Sequence, residues 1–201
     1  ELPSTGKGAV TLVALVAMLT SLFNWGFSLI FSAVLAREVQ RRVASADYRA
    51  LGAASFMGLG SVWAQGLSGS AALQMASAAS MPPALVKITG IIPLTETIFR
   101  WESLVAVGVE ILVVTTIMWA FAPGRDRARS AADLGIDLGP AALPPLAPPE
   151  RIGERLEHSP IVLLPVVAVG LTYLVRSIMA RSSSLAGAVN AFDFNTINLF
   201  L

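Results

Sequence analysis

The chain has 201 residues, of which 55% are apolar and 13% charged, with a formal net charge of +1 and a mean hydropathy of +0.70. Such a balance excludes an ordinary soluble domain, and the near-zero charge offers no footprint for a nucleic-acid partner. The absence of cysteine removes disulfides, thiolate metal sites and catalytic thiols.

The charges cluster between long stretches that contain none, the pattern of an all-α, polytopic membrane protein. Four to five transmembrane segments are expected, one or more of them discontinuous or re-entrant. Gly8 to Ala36 carries no charge and is long enough at ~1.5 Å per residue to cross ~30 Å of hydrocarbon, so residues 8–36 are expected to form the first span. Near its middle, Asn24, Trp25 and Gly26 set an amide, an amphipathic ring and a helix-weakening glycine where leucine would normally stand. A bend or a recognition point is expected there.

Arg37 to Arg49 follows as a polar hairpin with four arginines, and Glu38 precedes Arg42 by four residues, the favourable order for a helical ion pair. Residues 50–81 are again uncharged, but their centre, Gly58 to Ser70, is rich in glycine and hydroxyls. Exposed backbone has no partner in hydrocarbon, so this composition predicts a broken helix or a re-entrant hairpin enclosed by protein. Glu96 and Arg100 are spaced to pair along a helix, with Trp101 as an interfacial anchor.

A third span is predicted at 103–122, with Glu110 inside it. Residues 123–159 read as a cytoplasmic linker, since they hold five arginines, six acids and many prolines. The lone histidine, His158, lies in this polar stretch beside Glu157 and reads as solvated. A further span is predicted at 160–176, and 195–201 as the opening of another. With no initial methionine and an end inside an apolar run, the chain is expected to be an internal fragment. If residues 50–86 cross an odd number of times, both arginine-rich loops share the cytoplasmic side, with Glu1 outside.

Broken spans expose helix-end N–H groups that hold carboxylates and carbonyls that hold cations. The candidate substrate-binding set is therefore Asn24, Trp25, Gly26, Ser61, Gln65, Gly66, Ser68, Gly69 and Ser70, with Glu110 a candidate proton carrier. Each has a plainer alternative. Gly58, Gly60, Gly66 and Ser70 could serve close helix packing, Asn24 could glue two helices, and Glu110 could be an interface acid. Leu2-Pro3-Ser4-Thr5-Gly6 matches a sortase signal at the wrong end of a chain, and Gly6-Lys7-Gly8 lacks the rest of a P-loop. No nucleophile, base and orienter can be assembled, so no enzyme is expected.

The order of several blocks resembles the short-chain fatty acid transporter family of bacterial membranes over nearly the whole chain. These are Asn24-Trp-Gly-Phe27, Ala36-Arg-Glu-Val39 with Arg41-Arg-Val43, Asp47-Tyr48, Ser68-Gly-Ser70, Gly90-Ile-Ile-Pro93 with Thr97-Ile-Phe99, Glu154-Arg-Leu-Glu157 and Asn195-Thr-Ile-Asn-Leu199. Where the family pattern has Trp-Gly-Gly-Gly-Phe, this chain has Trp63-Ala64-Gln65-Gly66-Leu67.

The resemblance implies a multi-pass secondary carrier in the bacterial inner (plasma) membrane for monocarboxylates such as acetoacetate or butyrate. Its partners would be the bilayer and the remainder of the same polypeptide, and an oligomer is compatible with it. No cofactor or metal is expected beyond a co-transported proton or sodium ion, because burying an anion without a counter-charge is costly. The alternative is a non-transporting sensor, or a membrane-embedded enzyme, that binds a small carboxylate.

Overall fold

The computed structural model describes residues 3–77, 80–139, 151–157 and 159–181, and all regular structure among them is helical. Two compact units are formed, residues 1–139 and 140–201. In the first unit, α1 runs Gly6–Phe23, capped by the Thr5 hydroxyl, which accepts the Gly8 N–H at 3.2 Å. Asn24 ends it because its backbone is extended (φ −151°, ψ 118°), and α2, Trp25–Arg42, starts at the next residue.

The two helices are antiparallel. Gly6 lies against the Ser45 carbonyl with no room for a Cβ, and the Ser28 hydroxyl donates to the Ala17 carbonyl at 2.7 Å. Ala9, Val10, Val13 and Ala14 share one buried cluster with Ala36, Val39, Val43 and Ala46. Small buried residues recur at intervals of four on both helices: Ala9, Val13, Ala17 and Ser21 on α1, Ser28, Ser32 and Ala36 on α2. That spacing lets helix backbones approach closely in an apolar solvent.

The expected single span over 8–36 is therefore two helices folded back on each other. Its uncharged length reflects two apolar arms around a turn. Gly6 and Ser45 meet at one end, so the start of α1 lies beside the arginine hairpin and not a span's length from it; Glu1 lies outside the described residues.

Region 50–81 is discontinuous, as its composition predicts. It contains α3 (Tyr48–Ser55), α4 (Met57–Gly60), a 3-10 turn at Trp63–Gln65 and α5 (Ser70–Met75). These pieces climb beside α1, since Gly58 abuts the Ala17 carbonyl and Gly66 the Leu22 backbone, each too close for a Cβ. After α6 (Pro83–Thr89), the Ile92 N–H returns to the Met75 carbonyl at 3.0 Å. Arg100 pairs with Glu102 at 2.7 Å instead of the expected Glu96, which sits in a separate 3-10 turn, Leu94–Glu96.

The predicted third span is α7, Trp101–Phe121, which descends antiparallel to α1, so that the Lys7 ammonium reaches the Ala120 carbonyl. α1 and α7 are both long and apolar enough to cross a membrane.

Residues 122–139 are a docked strap rather than an open linker. The Arg37 and Arg41 guanidiniums donate to the Leu138 carbonyl, and Arg41 also to that of Gly139. Glu38 holds Arg42 at 2.7 Å, the pairing its spacing predicts. Buried Asp47 accepts the N–H groups of Arg49, Ala50 and Arg129 at 3.0–3.1 Å and pairs with the Arg49 guanidinium at 2.7 Å, tying α3 to the strap.

In the second unit, α8 (Ile152–Glu157) and a 3-10 turn (Pro160–Val162) precede α9, Leu163–Arg181, which is longer than the expected span at 160–176. His158, the expected segment at 195–201 and the linker's residues 140–150 lie outside the described residues.

Two outcomes follow. Gly58→Val drives a side chain into the Ala17 backbone and should cost about 1–3 kcal/mol, whereas Gly60→Ala, with open space around it, should change stability by under about 0.5 kcal/mol. Thermal unfolding of the complete protein in detergent reads both. At Asp47, burial acts to raise the carboxyl, but the hydrogen bonds from Arg49, Arg129 and Ala50 outweigh it and hold the pKa at about 2 instead of 3.8. The charged form thus contributes on the order of 2 kcal/mol, fully present above pH ~4 and lost as pH falls toward about 2. Asp47→Asn should lower stability at neutral pH and flatten that acid limb in a pH series of melting curves.

Candidate functional site

The candidate residues gather where α1 stops. A helix end leaves carbonyls and N–H groups without helical partners, which side chains or other backbone must supply. Asn24 serves both helices: its own N–H bonds the Thr20 carbonyl at 3.1 Å, and its side-chain oxygen accepts the Phe27 N–H at 2.8 Å. Gly66 lies flush on Leu22, which lets the Leu67 N–H reach the Leu22 carbonyl at 2.6 Å.

The Ser68 hydroxyl closes the joint. It is buried, accepts the Trp25 N–H at 3.2 Å and donates to the Ser21 carbonyl at 3.4 Å. Gly69 packs on the Ala64 carbonyl with no room for a Cβ, and Ser70, exposed, opens the six-residue α5. Asn24, Trp25, Gly66 and Ser68 thus form one joint, with Gly26 against the Asn24 side-chain oxygen. The amides of Trp25 and Phe27, which a helix-end grip on a carboxylate would need, are already spent within this joint. It sits at the far end of α1, ~27 Å along the helix from Gly6, instead of halfway through a single crossing.

A second contact lies below it. The Gln65 side-chain amide donates to the Glu110 carboxylate, joining two candidates that are 45 residues apart. Glu110 is nine residues into the 21-residue α7, close to mid-helix, and is partly buried. Gln65 is also a position where the chain departs from the glycine-rich pattern before Ser68. Ser61 stands apart, its hydroxyl returned to the Met57 carbonyl of the preceding turn at 2.6 Å.

Sequence reasoning missed Ser28 and Ser32, both buried along the α1–α2 seam. Their four-residue spacing with Ala36 was the available signal, masked by the apolar run around them.

The family model for short chain fatty acid transporters matches residues 1–201. A protein of Escherichia coli (strain K12) that carries the name short-chain fatty acid transporter is 31% identical over 194 residues, covering 94% of this chain and 41% of its own. One of the same name from Haemophilus influenzae (strain ATCC 51907 / DSM 11121 / KW20 / Rd) is 26% identical over 179 residues, covering 87% and 40%. The chain therefore spans about two fifths of the length of these curated relatives. No solved structure matches it. Matched along its whole length, the chain belongs to the short-chain fatty acid transporter family and is part of a membrane protein.

Proposed function

We propose that the complete protein is a secondary carrier that moves short-chain monocarboxylates, of the acetoacetate or butyrate type, across the bacterial inner membrane in symport with a proton. The Gln65–Glu110 contact carries this reading. An acid at mid-span is costly unless it is paired or lines a polar path, and such acids commonly relay protons. Here its partner comes from the broken segment, whose glycines and hydroxyls suit a passage better than a lipid-facing surface.

In this account, the substrate passes between Glu110 and the segment Ser61 to Ser70. A charged Glu110 repels the incoming carboxylate and holds the Gln65 amide. Protonation removes the repulsion and weakens that hold, so the amide becomes available to the substrate. Proton and substrate then bind cooperatively, and each raises the other's affinity by the same factor. The Asn24–Ser68 joint, with Trp25, Gly26, Gly66 and Gly69, forms the rigid end wall of the path. The remainder of the polypeptide supplies the opposite wall.

The test is uptake of labelled butyrate by the complete protein in liposomes under an imposed proton or sodium gradient. A proton gradient should drive accumulation. Glu110→Gln should reduce that accumulation roughly tenfold or more while leaving exchange of internal for external butyrate. Accumulation driven by sodium alone, untouched by Glu110→Gln, would contradict the proton assignment. Binding without accumulation under either gradient would favour a sensor.

A further inference from the structure

The end of the first unit opposite the Asn24 joint holds a feature that the carrier reading does not use. A cavity of about 440 Å³ opens there, lined by Thr5, Lys7, Ser45, Trp119, Gly124 and Arg125 among others. It lies where α1 begins, where α7 ends and where the strap departs. Two of its lining side chains are cations and none is an acid.

Neither Lys7 nor Arg125 has a carboxylate within ion-pairing distance among the described residues. Exposed Asp126 meets its neighbour Arg127 at 3.9 Å with one carboxylate oxygen, and the other faces Gly124 at the rim of the cleft. The Lys7 ammonium instead stands 5.4 Å over the Trp119 ring and 3.4 Å from the Ala120 carbonyl, contacts that fix its position without neutralising it. The surroundings on α7 are those of a membrane surface. Trp119 is 55% exposed and Phe121 81%, so an aromatic girdle lies at the mouth of a basic cleft.

Two cations with no carboxylate partner among the described residues, hydroxyls in the same lining and apolar rings beside the opening match one ligand chemistry: a phosphodiester carrying acyl chains. We propose that this cleft binds the headgroup of an anionic phospholipid of the adjoining leaflet. Lys7 and Arg125 hold the phosphate, and Trp119 and Phe121 flank the first methylenes. A basic pocket between helix ends is a recognised means of holding such lipids. A bound lipid would bridge the start of α1 to the start of the strap, through Lys7 and Arg125. This proposal does not depend on the carrier reading, because it concerns the other end of the bundle.

Native mass spectrometry of the complete protein, equilibrated with phosphatidylcholine vesicles with or without phosphatidylglycerol, tests it. Phosphatidylglycerol should be retained in preference to phosphatidylcholine. The pair Lys7→Gln with Arg125→Gln should lose that preference roughly tenfold or more, whereas Lys7→Arg with Arg125→Lys, and Arg127→Gln outside the cleft, should keep it. In the unaltered protein, raised salt should weaken retention, so a misfolded variant does not leave the site unread. Retention unchanged in the double glutamine variant, equal loss in Arg127→Gln, or salt-insensitive retention would overturn the proposal. Displacement of the lipid by inorganic phosphate as effective as by phosphatidylglycerol would assign the cleft to a soluble anion instead.

Discussion

A helix end leaves carbonyls and N–H groups without helical partners, and at Asn24 the chain ends one helix and begins another with a single residue between them. Everything else in the first unit depends on how that joint is satisfied. Asn24 caps both helices, Leu67 bonds the Leu22 carbonyl, and Ser68 links Trp25 to Ser21. Bare backbone at Gly66 lets the broken segment come close enough to do this. Without that approach, the Ser21 and Leu22 carbonyls and the Trp25 N–H would lose these partners. The turn and the broken segment are thus one construction.

The reversal at Asn24 also gathers the charge. With α1 and α2 antiparallel, Thr5, Ser45 and the strap after α7 occupy one end of the unit, and Arg37, Arg41, Arg42 and Arg49 fall there together with Arg125, Arg127 and Arg129. Asp47 neutralises part of this charge from a buried position, and the guanidiniums of Arg37 and Arg41 are used on the carbonyls of the strap. The opposite end carries the joint and the polar, broken segment. Between the two lies Glu110 with Gln65. The division gives a strap end rich in arginine and a joint end built on uncharged hydroxyl, amide and backbone groups.

Much of the fold was legible, for local reasons. α7 follows from an unbroken apolar run, and the fracture of residues 50–81 follows from glycines and hydroxyls at a depth that does not tolerate them. The hairpin was not legible as such. An asparagine at the centre of a long apolar run marks a turn and a bend equally well, and the signal for a reversal lies in the four-residue spacing of Ser28, Ser32 and Ala36, which the hydropathy of their neighbours covers. The strap was misread because prolines argue against a compact domain but not against docking by arginine–carbonyl bonds. At the candidate site, composition singled out residues that the fold brings close together. It did not show that Ser68 bonds Trp25 and Ser21 across the turn, or that Gln65 reaches Glu110, since both are long-range contacts.

The central claim is therefore geometric: Asn24 is a turn, and the first apolar run leaves and returns on the same side. The cysteine-free chain permits a direct measurement. Single cysteines at Ser4→Cys, Ser45→Cys and Thr89→Cys in the complete protein, labelled in sealed vesicles with a membrane-impermeant maleimide from each side in turn, report their sidedness. The account predicts that Ser4→Cys and Ser45→Cys label from one side and Thr89→Cys from the other. Labelling of Ser4→Cys and Ser45→Cys from opposite sides would make residues 8–36 a single crossing and contradict the account.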